Sequence, residues 1–356
     1  MNDDRMPKSG VPFILSRRKP IAVSSEDLVT VEVFDSTHGL PLLISARSGD
    51  LDPIAWAKAH HSILAKQLLQ HGAILLRGFE MNCPEQFRQL VESVSGAALP
   101  YRERSSPRSR VIENIYTSTD YPSDRSIFPH NEHSYAITFP QKLYFWCEIA
   151  ARQGGETPLA DTRRILARID PAVVDKFREK GWMYVRNYTP HFGLSWQTAF
   201  QTEDRARVET YCLEAAIEWE WTAHGLRTRQ KRPAVATHPV SNESVWFNHA
   251  TFFHISSVEQ ELRRQLLAMY DERDLPNHTY YGDGSPIEDG VVQHLREAYA
   301  NESVSFPWEA GDVVIIDNML TAHAREPYVG PRRILVAMAE PYTRSDSIGI
   351  NREVHR

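Results

Sequence analysis

Strand-length apolar runs recur along most of this chain, from AILLRGF (73–79) to ILVAMAE (334–340), without alternating regularly with helical segments. Between them lie VIENIY (111–116), KLYFWCEI (142–149), WMYVRNY (182–188), SVWF (244–247) and VVIID (313–317), rich in β-branched and aromatic residues. That distribution predicts one sheet system decorated by helices rather than a βα repeat. Helical periodicity runs from Asp52 through AWAKAHHSILAKQLLQ to Gly72, a C′ glycine. A second helix opens on Pro84 and places Phe87, Leu90, Val91 and Val94 on one face. Further helices are expected over 163–180, about 203–219, and near 287–299. Another is expected from Ser257, with Ser257 and Gln260 as a capping box and Val258, Leu262, Leu266 and Met269 as its stripe. No repeat, low-complexity tract or linker divides the chain. The expectation is one domain over 51–345, a polar arm or edge strands at 1–50, and a tail at 346–356.

Charge and cysteine usage narrow the function classes. Among 356 residues, Lys+Arg 40 against Asp+Glu 46 gives −6, which argues against a nucleic-acid binder or a basic membrane-surface protein. No apolar stretch approaches the roughly 18 residues of a membrane span. The opening segment has only VPFIL as an apolar run, unlike a secretory signal, so a cytoplasmic protein is expected. Cys83, Cys147 and Cys212 are too scattered for a disulfide framework or zinc knuckle; Cys147 and Cys212 read as small core hydrophobes. GDGSPIE (282–288) has glycines but lacks the strand–Gly–helix context of a phosphate loop.

Most of the fifteen histidines have structural readings. His60 and His61 fall in a helix and His71 beside its cap. His249 and His254 are five apart, a spacing that suits neither one helix face nor one side of a strand. His130-Asn131-Glu132 differs, because it follows a turn-rich stretch and enters an apolar segment. On extended chain, residues two apart point the same way, so His130 and Glu132 can offer an imidazole and a carboxylate to one ion while His133 faces away, unless the strand bends here. His323 follows the strand GDVVIIDN, and Arg333 lies ten residues further on. Two imidazoles and one carboxylate hold one face of an octahedral Fe(II) and leave three positions open. A keto acid and dioxygen can take those positions, with a guanidinium fork on the distal carboxylate. The pair Arg332-Arg333 leaves a one-residue ambiguity; period two lets only one enter the pocket, and Arg333 is the first choice.

With these motifs in view, the sequence resembles the taurine-dioxygenase/clavaminate-synthase-like family of Fe(II)/2-oxoglutarate oxygenases. The resemblance rests on HGAILLRGF (71–79), PHNEHSY (129–135), GGETPLADTRRIL (154–166), VWFNHATFFH (245–254) and WEAGDVVIIDNMLTAHAREPYVGPRRILVAM (308–338), in the family's order from about 50 to 344. It implies a mainly β fold with helices, a double-stranded β-helix (a cupin-like jelly roll) with buttressing helices and insertions. It implies metal binding by His130, Glu132 and His323, with Thr157 of the GGET motif and Arg333 holding the keto acid. The cofactor set is Fe(II), 2-oxoglutarate and O2. The implied chemistry is decarboxylation of 2-oxoglutarate to succinate and CO2, coupled to oxidation of an unactivated C–H bond. More narrowly, YTSTDYP and YYGDGSPIE resemble the branch typified by the syringomycin-pathway aspartyl hydroxylase, which implies an amino-acid-derived, carrier-protein-tethered substrate in a natural-product pathway. Glu132 replaces the aspartate of taurine dioxygenase, and Ala337 replaces the arginine that holds the sulfonate, which argues against taurine. A retained carboxylate ligand argues against halogenation.

Asn131, Ser134, Tyr135, Thr119 and Asn248 flank the metal motifs and are candidates for substrate contact or for support of the ligand loop. RTRQKR (227–232) carries four positive charges; it reads as a solvated loop or as a docking site for an acidic carrier protein. A homo-oligomer is compatible with all of this. Desaturation or epoxidation would use the same ligands. A zinc hydrolase would have no use for Arg333, and a non-catalytic jelly-roll binding module would hold no stoichiometric metal.

Overall fold

The computed structural model describes residues 28–100, 108–189 and 193–344; the expected tail and residues 1–27 of the expected arm lie outside them. Its spine is an eight-stranded sheet in the order Val29–Val33, Leu42–Ala46, Ala73–Arg77, Val313–Asp317, Thr138–Ile149, Arg333–Thr343, Ile115–Thr117, Arg110–Ile112. Only the pairing of Leu42–Ala46 with Ala73–Arg77 is parallel, and the helices Pro53–Ala59 and His61–His71 make the crossover that a parallel pair needs.

The central strands are apolar in both phases because both faces are buried. Ile74, Leu76, Val313, Ile315, Tyr144, Trp146, Leu335 and Ala337 pack with Trp56, Leu64, Leu68, Phe87, Leu90 and Val91 of the helical layer. Their alternates Ala73, Leu75, Val314, Ile316, Leu143, Phe145, Ile334 and Val336 pack on the other side with Leu159, Val304, Phe306 and Trp308. Leu159 and Val304 belong to a second, four-stranded sheet, ordered Ser303–Val304, Leu159–Asp161, Thr321–Arg325, Ile127–His130. Cys147 and Cys212 are buried, as expected of core thiols, and burial pushes the Cys147 thiol up to about 12.

A third, four-stranded sheet (Ile217–Thr222, Gly225–Arg232, Trp182–Tyr188, Asn277–Tyr281) forms with its helices the middle of the chain. Here the structure departs from the sequence reading. The helix expected over 203–219 ends at Glu214; Ala216 turns with φ 50°, and IEWEWT continues as strand. RTRQKR is strand, not loop. Its Arg227 is ion-paired with Asp274, its Arg229 with Glu220 at 3.4 Å and its Lys231 with Glu218 at 3.8 Å, while buried Arg232 donates to Tyr135 O at 2.7 Å. Two of these partners, Glu220 and Glu218, lie on the neighbouring strand of the same sheet, and Arg229 and Lys231 keep 34% and 46% of their side chains exposed.

Two helices also begin or break elsewhere than expected. Ser257 caps nothing: it ends a 3-10 turn over Ile255–Ser257, and the helix Gln260–Met269 starts after Glu259, burying Leu266 while Met269 stays 72% exposed. The helix from Asp52 breaks at His60, though Gly72 does close it in the left-handed region at φ 71°.

Candidate metal centre

His130 is the last residue of its strand and pairs across the small sheet with His323, their rings 4.4 Å apart. Glu132 reaches the same point by a different route from the one expected. The chain leaves the strand after His130 and turns over 131–134, with His133 in the left-handed region at φ 55°. The turn, not strand alternation, brings the carboxylate round, and His133 does not face away: its Nε2 lies 3.4 Å from Glu132 Oε1. One ligand atom from each of His130, Glu132 and His323 lies within 4.8 Å of the others.

Asn318 ties the two arms of this cluster together. Its side-chain oxygen accepts from Glu132 N at 2.7 Å, and its Nδ2 donates to Glu132 O at 2.9 Å and Pro140 O at 2.8 Å. Its carbonyl accepts from Asn131 Nδ2 at 2.7 Å. Asn131 and Asn318 are both fully buried. Asp317 beside them accepts from Met319 N and Leu320 N and pairs with His238 Nε2 at 3.1 Å, fixing the turn that leads to His323. Of the candidates for substrate contact, Asn131 is engaged with Asn318 O, and Asn248 with Ala234 O and Ala250 N. Tyr135 is buried among Tyr184, His249 and Phe253. Thr119 is half-buried on the segment leading to 121–125.

The electrostatics favour ligand forms. His130 Nδ1 donates to Phe128 O at 2.9 Å, which leaves Nε2 with its lone pair. Burial holds the His130 and His323 imidazoles neutral, below the usual histidine range. Burial alone would raise the Glu132 carboxyl, but the Arg108 guanidinium at 2.7 Å holds it well below the usual range. His323 Nδ1 is buried without a hydrogen-bond partner among the described residues. Two neutral imidazoles and an ionised carboxylate are the donor set a facial Fe(II) site needs, so these residues fit that ion.

Beside the cluster, Thr157 is buried; its Oγ1 accepts from Trp308 Nε1 at 3.0 Å and lies 3.5 Å from Arg332 Nη2. Arg332 donates from Nε to Gly155 O at 2.8 Å, and burial pushes its pKa down to about 10. Arg333 takes the opposite direction. It is 43% exposed and ion-paired with Glu148 at 2.9 Å, so the arginine next to Thr157 is Arg332. The strand begins at Arg333 with a register shift before Ile334, which sets the phase that period two left open.

Sequence reading missed His249. Its ring lies 5.6 Å from that of His130 and stacks on Phe253 at 5.0 Å, its Nδ1 is 2.5 Å from Ser134 Oγ, and Phe252 stands 4.8 Å from His130. A spacing of five carried no signal because residues 248–254 are neither strand nor helix. Arg108 was missed for a similar reason: nothing in its neighbourhood marks a partner 24 positions away.

Residues 36–338 match the model of the taurine catabolism dioxygenase TauD, TfdA family. The chain is 44% identical over 284 residues to the dapdiamide synthesis protein DdaC of Enterobacter agglomerans, covering 80% of this chain and 86% of that protein. It is 30% identical over 299 residues to a clavaminate synthase-like protein of Arabidopsis thaliana, with the same two shares. Among solved structures, PvcB of Pseudomonas aeruginosa, described as an Fe, alpha-ketoglutarate dependent oxygenase from an isonitrile synthetic pathway, is alike in fold. Its TM-score is 0.54 at 16% identity, over 89% of this chain and 93% of that one.

Proposed function

Because the chain belongs to the taurine catabolism dioxygenase TauD, TfdA family, we propose that it hydroxylates an unactivated C–H bond of an amino acid or amino-acid-derived substrate in natural-product biosynthesis. It is a dioxygenase that uses Fe(II), 2-oxoglutarate and O2. The name of the relative DdaC, a dapdiamide synthesis protein, supports the natural-product setting. In this reading the two sheets that sandwich Phe145, Val314 and Leu159 are the double-stranded β-helix of the family. The chain from 51 to 345 is then the oxygenase unit, and its substrate is free or tethered to a carrier protein.

The observation that carries the reading is the meeting of His130, Glu132 and His323 within 4.8 Å. We assign these three to the metal and Thr157 with Arg332 to 2-oxoglutarate. When bound, the iron with 2-oxoglutarate and O2 supplies the oxidising power. The chain's own residues orient and protect. His130 presents Nε2 because its Nδ1–H donates to Phe128 O. Arg108 keeps the Glu132 carboxylate ionised, and the clasp through Asn318 fixes its direction. Arg332 and Thr157 turn the keto acid toward the metal, holding reactants in one geometry. Phe252, His249 and Phe253 wall the space beside His130 and keep water from it.

The test is anaerobic addition of Fe(II) and 2-oxoglutarate to metal-free protein, reading the visible charge-transfer band. The wild type should show it, and Glu132→Ala and Arg332→Ala should lose most of it. Absence of the band in wild-type protein shown to hold iron would reject the reading.

A further inference from the structure

We propose that Arg325 is a second cationic residue of the 2-oxoglutarate site, and that through it the segment 121–125 becomes part of that site. The proposal rests on the assignment of Arg332 and Thr157 to the keto acid.

The placement follows from register. Thr321, Ala322 and His323 pair with Asp161, Ala160 and Leu159, and the bonds Ala324 N to Pro158 O (2.9 Å) and Glu326 N to Glu156 O (3.1 Å) continue the ladder. Arg325 therefore stands opposite Thr157, and cross-strand partners project from the same side of a sheet. Strand alternation puts it on the side of His323 as well.

Among the described residues, none of its hydrogen-bond partners is a carboxylate. Arg325 is 5% exposed, with Nη1 donating to Tyr121 O at 3.0 Å and Nη2 to Pro122 O and Arg125 O at 2.5 and 2.7 Å. Its Nε is buried without a partner among the described residues. The Tyr328 ring lies 5.4 Å from the Arg325 guanidinium and 5.5 Å from that of Arg332. Neither arginine has a carboxylate within ion-pair distance among the described residues, although buried charges are ordinarily paired. Burial first, and Arg325 second, pull the pKa of Arg332 down. An anion bound at Arg332 and Thr157 relieves that repulsion, so Arg325 adds attraction without touching the ligand. Because the same guanidinium grips the carbonyls of Tyr121, Pro122 and Arg125, filling the site also holds the segment that leads into Ile127–His130.

The test uses the Mn(II)-loaded full chain, with 2-oxoglutarate affinity read by calorimetry and the segment read by tryptic cleavage after Arg125, whose side chain is 52% exposed. Arg325→Gln should weaken 2-oxoglutarate on the order of tenfold or more, and Arg325→Lys, which restores charge without the fork, only about threefold. 2-Oxoglutarate should slow cleavage after Arg125 in wild type and no longer do so in Arg325→Lys. Affinity of Arg325→Gln within about twofold of wild type, or equal weakening by Lys and Gln, overturns the proposal. Should Arg325→Gln fail to fold, the wild type decides: a cleavage rate unchanged by 2-oxoglutarate also overturns it. Arg332→Gln is run alongside, and normal affinity in that variant would instead reject the assignment of the keto-acid site.

Discussion

Arg332 and Arg333 have the same chemistry and opposite surroundings. Arg332 lies against Gly155 O and Thr157, shielded from water, while Arg333 meets Glu148 near solvent. A buried charge-assisted fork contributes about 2–3 kcal/mol and a half-exposed ion pair about 0–1 kcal/mol. Arg332→Ala should therefore raise the dissociation constant of 2-oxoglutarate on the order of a hundredfold, and Arg333→Ala should leave it within about twofold, both by calorimetry on Mn(II)-loaded protein. Sequence showed the pair but not its phase, because alternation says that neighbours oppose one another and not which one faces in. Asn318 was not legible either, since an asparagine after a strand is usually a turn residue. Its bonds to Glu132 N and O make it the support of a residue we assign to the metal. Asn318→Asp, which removes both donors, should cost about 10–100-fold in Mn(II) affinity, whereas a similarly destabilising change far from the cluster, Leu90→Ala, should leave that affinity unchanged.

Whole elements were legible where one period persisted. Pro84–Ser95 buries Phe87, Leu90, Val91 and Val94, the face the spacing predicted, because an unbroken apolar stripe has one way to dock. The expectation failed over 203–219, where helix-forming composition masked the strict alternation of IEWEWT, and over RTRQKR, where charge masked the same period. One short element carries a pH dependence. The 3-10 turn Ile255–Ser257 rests on His254, whose Nδ1 accepts from Ser256 N at 3.2 Å, and on His278, whose Nδ1 accepts from Ile255 N at 3.2 Å. Burial pushes both imidazoles down to about 4, so the folded state favours their neutral forms. In an unfolded chain they titrate near about 6.5, so their contribution to stability is complete above that pH. It declines as pH falls from there toward about 4, because the unfolded chain binds protons first. Tm measured across that window should drop with acid, and His254→Asn, which retains an acceptor, should flatten the decline.

At the scale of the molecule, the site joins His130 to His323, 193 positions apart, and Asn131 to Asn318, 187 apart. Ligands that bind only the assembled site should raise the stability of the whole. Mn(II) at a hundred times its dissociation constant adds about 2.7 kcal/mol, as does 2-oxoglutarate at the same excess. The two together should lift Tm by several degrees, and Glu132→Ala should abolish the shift in a scanning calorimeter. The order of the large sheet has a further consequence, in the time over which the chain is made. Val313–Asp317 sits between Ala73–Arg77 and Thr138–Ile149, so until residue 317 has been synthesised those two strands lack the neighbour they share. Their apolar edges stay open through most of translation, when strand edges invite association with other chains. Yield of soluble protein should therefore depend on how fast ribosomes deliver the later strands relative to encounters between nascent chains, and slower initiation or added chaperone should raise it more than any change at the metal centre.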